Sequence, residues 1–137
     1  MTGAVAVNTV IQCISGSTSE VGISIEDGSL NNYFRLSAIY VSAGIYKVIK
    51  TVRSGGGAPA VTDLITNIPD SMIGLRIGTT GAETLYCYSW RGMYIANIFG
   101  SGQAKFFNAA RIGFFFAKTG TGATRDVNIV RWTASFT

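Results

Sequence analysis

The sequence predicts an all-β fold, a two-sheet antiparallel jelly-roll sandwich, and three observations predict it. About ten short runs of alternating or continuous apolar residues follow one another at regular spacing. Gly, Ser, Thr and Asn separate them, and no run keeps a helical period. One run, Ile112-Gly-Phe-Phe-Phe116, is too apolar for a strand with a wet face and is expected to lie centrally in a covered sheet.

In chain order, Ala4 to Ile14 is the first expected strand, with Val5, Val7, Thr9, Ile11 and Cys13 on one side. Ser15 to Ser19 is a turn by composition. Glu20 to Glu26 alternates cleanly, with Val21, Ile23 and Ile25 facing one way. Asp27-Gly28 and Asn31-Asn32 mark a loop. Tyr33 to Tyr40 places Phe34, Leu36, Ala38 and Tyr40 opposite Tyr33, Arg35, Ser37 and Ile39. It should form a hairpin with Gly44 to Arg53, where Tyr46, Val48 and Val52 face inward and Lys50 breaks the pattern.

Ser54 to Pro59 reads as a flexible surface loop. A phosphate-cradling loop would need a Lys in the motif and a following helix, and neither is present. Val61 to Thr66 is a short strand. Met72 to Gly78 sets Ile73, Leu75 and Ile77 against Arg76, and Glu83 to Trp90 carries apolar bulk on both faces. With Arg111 to Lys118, these two are expected as adjacent strands at the centre of the fold. Met93 to Phe99 is a further strand, Gly100 to Lys105 a loop, and Thr119 to Thr124 a turn-rich segment. Asp126 to Phe136 closes the chain, with Trp132 expected in the core.

The 137 residues make one domain, residues 1–137, able to bury on the order of two-thirds of its surface. Only 13% of residues are charged and 47% are hydrophobic, so a packed core is expected rather than disorder. No apolar run approaches the roughly 18 residues of a membrane span, so no membrane insertion is expected. The Met-Thr-Gly-Ala start lacks the basic-then-apolar pattern of a secretory leader, which fits an excised domain or a virion protein equally. The formal charge is +4, but Lys and Arg are scattered singly, so nucleic acid is not an expected partner.

The chain has no histidine and no CxxC, which removes His-dependent triads and the common zinc sites. Cys13 and Cys87 each fall in an expected strand. A buried, inert thiol is the plainer reading of Cys87, which shares a face with Leu85, and a disulfide between the two stays open. The loop oxygens of Asp27, Asn31 and Asn32 form a calcium option, although such residues usually just make turns. No cofactor is expected.

The run Leu75-Arg-Ile-Gly-Thr-Thr-Gly-Ala-Glu-Thr-Leu-Tyr-Cys-Tyr-Ser-Trp90 resembles the concanavalin A-like lectin/glucanase superfamily, including its LamG-like domains. Ile112 to Phe116, Val127 to Trp132 and Tyr33-Phe-Arg-Leu36 extend the resemblance over roughly residues 30 to 136. It implies a concanavalin A-like jelly roll, and its motifs are packing motifs that speak to fold more than to activity. Two departures matter. The family's frequent Ser-x-Asp-Gly turn reads Ser89-Trp-Arg-Gly92 here, with Arg91 in place of the acid. The paired carboxylates of the glucanase branches are also absent. The adjacent pair Glu26-Asp27 would point to opposite faces of a strand and cannot flank one bond.

Catalysis is therefore not expected, and binding is. Sugars present hydroxyl rims and apolar C–H faces, which aromatic plates and planar donors recognise. Arg76, Tyr86, Tyr88 and Trp90 have that chemistry and are expected on one face, with Trp90 as the stacking plate; Arg35 and Tyr33 would join them. The expected role is a non-catalytic, lectin-like glycan-recognition or host-attachment module of a larger extracellular or phage tail protein. The alternative is a structural module of a virion or surface complex that associates with further copies of itself. Low charge and abundant Gly, Ser, Thr and Asn suit an extracellular or virion surface in either case.

Overall fold

The computed structural model describes residues 4–13, 19–42, 44–90, 101–118 and 127–136. They form ten strands and no helix: β1 (Val5–Cys13), β2 (Ser19–Glu26), β3 (Tyr33–Ser42), β4 (Ile45–Arg53), β5 (Ala60–Ile68), β6 (Met72–Thr79), β7 (Glu83–Trp90), β8 (Ser101–Ala104), β9 (Arg111–Lys118) and β10 (Val127–Phe136). Two five-stranded sheets result, in the orders β10-β1-β6-β7-β8 and β5-β4-β3-β2-β9. Every pairing is antiparallel. The chain runs β2 to β5 as a meander in one sheet and β6 to β8 as a meander in the other, with β1, β9 and β10 crossing between them. This is the expected two-sheet sandwich, consistent with a concanavalin-like fold.

The core lies between the sheets, and period-two alternation supplies it. Val5, Val7 and Ile11 from β1, Val21, Ile23 and Ile25 from β2, Phe34 and Leu36 from β3, and Ile73, Leu75 and Ile77 from β6 are all buried. The β3–β4 hairpin pairs as expected, Tyr40 against Tyr46 and Phe34 against Val52. Lys50 pairs with the fully buried Leu36, so the break in the pattern is a lysine on the inner face.

Several expectations are corrected. β9 is not central: it is the last strand of its sheet and lies in the opposite sheet from β6 and β7. Its three phenylalanines go to three environments. Phe114 is half-buried edge-on against Trp132, Phe115 faces outward over Arg35, and Phe116 is 46% exposed. Hydrophobicity alone marks a strand that packs on both faces, not its position in the sheet. Trp132 is likewise not enclosed: it sits on edge strand β10, 39% exposed.

Gly100 to Lys105 contains a strand, β8, rather than only a loop. Gly102 lies in this strand, opposite Leu85 of β7. The Ser54 to Pro59 loop is tied down rather than loose. Arg53 donates to the carbonyls of Gly56 and Gly57 at 2.9 Å each, and the Gly55 N–H donates to Asn32 Oδ1 at 2.8 Å. The expected strand at 93–99 and the segments 14–18 and 119–126 lie outside the described residues.

The Asp27 loop is an Asx-type turn. Asp27 Oδ1 accepts from the Ser29 backbone N–H and hydroxyl, and Oδ2 from the Asn32 backbone and side-chain N–H groups. Asn32 Oδ1 is occupied by Gly55 and the Asn31 carbonyl by the Gly56 N–H. Of the oxygens in the calcium option, Asp27 Oδ1 and Oδ2 and Asn32 Oδ1 thus already accept hydrogen bonds from the protein. Desolvation, the largest single influence, pushes the Asp27 carboxyl up, but the bonds from Asn32 and Ser29 together outweigh it and hold the pKa below the ordinary value. This network fixes a turn in which Leu30 takes a left-handed φ of 65°.

Candidate functional site

Cross-strand register decides which side chains share a face. In β6 and β7, Arg76 stands opposite Cys87, while Ile77, Leu75 and Ile73 stand opposite Tyr86, Tyr88 and Trp90. Arg76 is therefore on the outer face, exposed beside Cys87, and the three aromatics are on the inner face. Tyr86 is 4% exposed and packs on Phe34 across the sandwich, with ring centroids 5.3 Å apart. Tyr88 and Trp90 are half-buried against the core, and the Tyr88 hydroxyl points to the Leu64 carbonyl at 3.5 Å. The shared face expected for Arg76, Tyr86, Tyr88 and Trp90 does not form. The cause is the hairpin: Thr79 pairs with Thr84, and four intervening residues place even-numbered residues of one strand beside odd-numbered residues of the other.

Cys87 carries a free thiol, half-buried on the outer face. Desolvation raises its pKa, and the nearby Arg76 charge offsets only part of that.

Arg35, the remaining expected residue, sits in a built environment on the outer face of the other sheet. Register sets Thr51, Arg35, Ser24 and Gly113 in one rank across β4, β3, β2 and β9, and Ile49, Ser37, Gly22 and Phe115 in the next. The small polar side chains form a floor: Ser37 is 0%, Ser24 2% and Thr51 8% exposed. Gly22 completes it, because a Cβ there would collide with the Leu36 carbonyl and the Ser37 backbone.

Over this floor the Arg35 guanidinium carbon lies 4.1 Å from the centroid of the Tyr33 ring and 4.9 Å from that of Phe115. Arg35 Nη2 is 3.2 Å from Glu26 Oε1, and Nε is 3.4 Å from Ser24 Oγ. The Ser24 hydroxyl in turn donates to Glu26 at 2.8 Å, which fixes the carboxylate from a second side. Ser37 donates to Glu20 Oε1 at 2.6 Å along the same face. Tyr33 heads the next rank, beside Glu26 and Arg53, where the tied-down loops after β2 and β4 form a rim.

The outcome is an arginine held in position by two rings, a carboxylate and a hydroxyl. Guanidinium has five N–H donors in a fixed plane. Among the described residues, those to Ser24 and Glu26 have protein acceptors. Arg35 and Tyr33 do share a face, as strand parity predicts, but it belongs to the other sheet, so they do not join Arg76, Tyr86, Tyr88 and Trp90 as expected. Phe115, Glu26 and Ser24 were missed, although Phe115 alternates with Phe114 and so had to face away from the core.

No protein-family model matches the chain, and no curated protein matches it in sequence. Solved structures do match it in fold. Against the GH43 protein BlXynB of Bacillus licheniformis the TM-score is 0.66 at 16% identity, over 96% of this chain and 27% of that one. A point mutant of that protein gives 0.66 at 15% identity, over 98% and 28%. A bifunctional GH43-CE protein of Bacteroides eggerthii gives 0.70 at 10% identity, over 97% and 17%. The chain thus has the size of a minor part of these proteins, and at such identities the likeness is one of fold.

Proposed function

We propose that this chain is a non-catalytic carbohydrate-binding domain, a glycan-recognition or attachment module of a larger extracellular or phage tail protein. The ligand lies on the outer face of the β5-β4-β3-β2-β9 sheet. The observation that carries this reading is the Arg35 guanidinium, set between Tyr33 and Phe115 over a floor of buried small side chains. Arg35 offers its planar donors to sugar hydroxyls and the half-buried Phe115 ring offers apolar contact to C–H faces, while Tyr33, only 6% exposed, backs the guanidinium and Glu26 holds Arg35 in place. The fold likeness to carbohydrate-active GH43 proteins supports a carbohydrate-related module. Binding rather than hydrolysis is favoured because Glu26, the carboxylate beside Arg35, is engaged in an ion pair with it. A glycan array probed with the wild-type chain and with Arg35→Met tests the reading: binding to a defined set of glycans should be lost in the variant. A chain that binds no glycan refutes it.

One observation favours the second reading, an assembly module of a virion or surface complex. On the β9–β10 side the sandwich leaves Phe116, Ile129, Val130, Trp132 and Phe136 exposed, on or beside strands that end their sheets among the described residues. Sedimentation of the chain as a stable oligomer, broken by Trp132→Ala, with no glycan bound on the array, would establish that reading instead.

A further inference from the structure

Lys50 stands on the inner face of β4, across from fully buried Leu36, where the alternation of the strand calls for an apolar side chain. Its Nζ reaches the opposite sheet. It lies 3.4 Å from the Tyr86 hydroxyl, 3.4 Å from Gln103 Oε1 and 5.2 Å from the centroid of the Tyr86 ring. All three contacts are neutral and both hydrogen bonds are long. No carboxylate forms an ion pair with Lys50 among the described residues. A half-buried ammonium with neutral partners only is poorly compensated for the water it has lost.

A second group in the same patch is in a similar condition. Thr84 pairs with Gln103 across β7 and β8 and shares its face with Tyr86 two residues on. It is fully buried, and its Oγ1 has no hydrogen-bond partner among the described residues. Native structures leave few such hydroxyls unpaired. Lys50, Tyr86, Thr84 and Gln103 therefore form a polar patch inside the sandwich. It lies next to β5 and β8, the strands at which both sheets end on that side. Lys50 and Gln103 keep partial exposure there.

We propose that this patch binds a single carboxylate entering between β5 and β8, with Lys50 as its counter-charge and the Tyr86 and Thr84 hydroxyls as donors. One ammonium matches one negative charge. A sulfate or phosphate dianion would bring a second charge that no described side chain of the patch neutralises. The site is on the inner face, separate from Arg35, and does not depend on the glycan reading.

The test is an NMR titration of the whole chain with sodium acetate, ionic strength being held constant with sodium chloride, and a parallel titration with sodium sulfate. Saturable shifts at the Thr84, Tyr86 and Gln103 amides are expected with acetate. They should vanish in Lys50→Met, and in Thr84→Val the affinity should fall by about tenfold, the loss of one charge-assisted hydrogen bond. Lys50→Met keeps the apolar stem and removes a buried charge, so it should fold, and Thr84→Val reads the same site if it does not. Absence of saturable acetate shifts, their persistence in Lys50→Met, or tighter saturation by sulfate at the same amides would overturn the proposal.

Discussion

The guanidinium of Arg35 lies over the Tyr33 ring, 4.1 Å from its centroid, two residues away on the same face of β3. Neighbours at i and i+2 on a strand are about 7 Å apart at their backbones, so the arginine must fold back along the strand to make this contact. Glu26 on β2 receives it there. The ion pair is partly open to water, with side-chain exposures of 26% and 17%, and is worth at most about 1 kcal/mol to the fold. Arg35→Met retains much of the packing over Tyr33. It should lower stability by no more than about 1–2 kcal/mol in a urea melt. A larger loss would mark Arg35 as structural.

Burial separates the phenylalanines that the sequence presents as alike. Phe34 is fully enclosed and packs on Tyr86, so Phe34→Ala should cost about 3–5 kcal/mol. Phe116 is 46% exposed on an edge strand, and Phe116→Ala should cost under about 1 kcal/mol. Phe114, half-buried against Trp132, should fall between them. Equilibrium denaturation of the three variants orders them, and a Phe116→Ala loss as large as that of Phe34→Ala would show that the β9–β10 side is covered in solution.

Asp27 makes the loop after β2 sensitive to acid. Its carboxyl is held below its ordinary value by bonds from Asn32 and Ser29, so the folded state holds that proton less well than the unfolded chain. The stabilisation is fully present above the unfolded pKa of about 4 and is lost as pH falls through the lower folded value. Stability measured at pH 7 and at pH 3 should differ less in Asp27→Asn than in the wild type. An unchanged difference would assign the acid sensitivity to other carboxylates.

How far the sequence could be read depended on the kind of information each feature needs. Alternation is local, so Val21, Ile23 and Ile25, or Ile73, Leu75 and Ile77, declare their inner face without help from the rest of the chain. Which residues of β7 join Arg76 depends on the register of a hairpin. One residue more or less in the turn between Thr79 and Thr84 would exchange Cys87 for Tyr86 or Tyr88 as its neighbour. The place of β9 at an edge is set by topology, which three consecutive phenylalanines do not encode. Arg35 was found because its own strand alternates cleanly. Glu26 comes from β2, the strand paired with that of Arg35, and Phe115 from β9 on the far side of β2, and only register brings them to it. Lys50 was visible as an irregularity, but its partners lie on the opposite sheet.

Anchoring of a glycan by Arg35 on this sheet face can be measured by calorimetric titration of the glycan that binds best on the array. Wild type, Arg35→Met and Phe115→Ala should be compared under conditions where all three are folded. Arg35→Met should weaken binding by about 2 kcal/mol, roughly thirtyfold, and Phe115→Ala by a smaller amount. An affinity in Arg35→Met within a factor of about two of wild type, which is under about 0.5 kcal/mol, would contradict that anchoring.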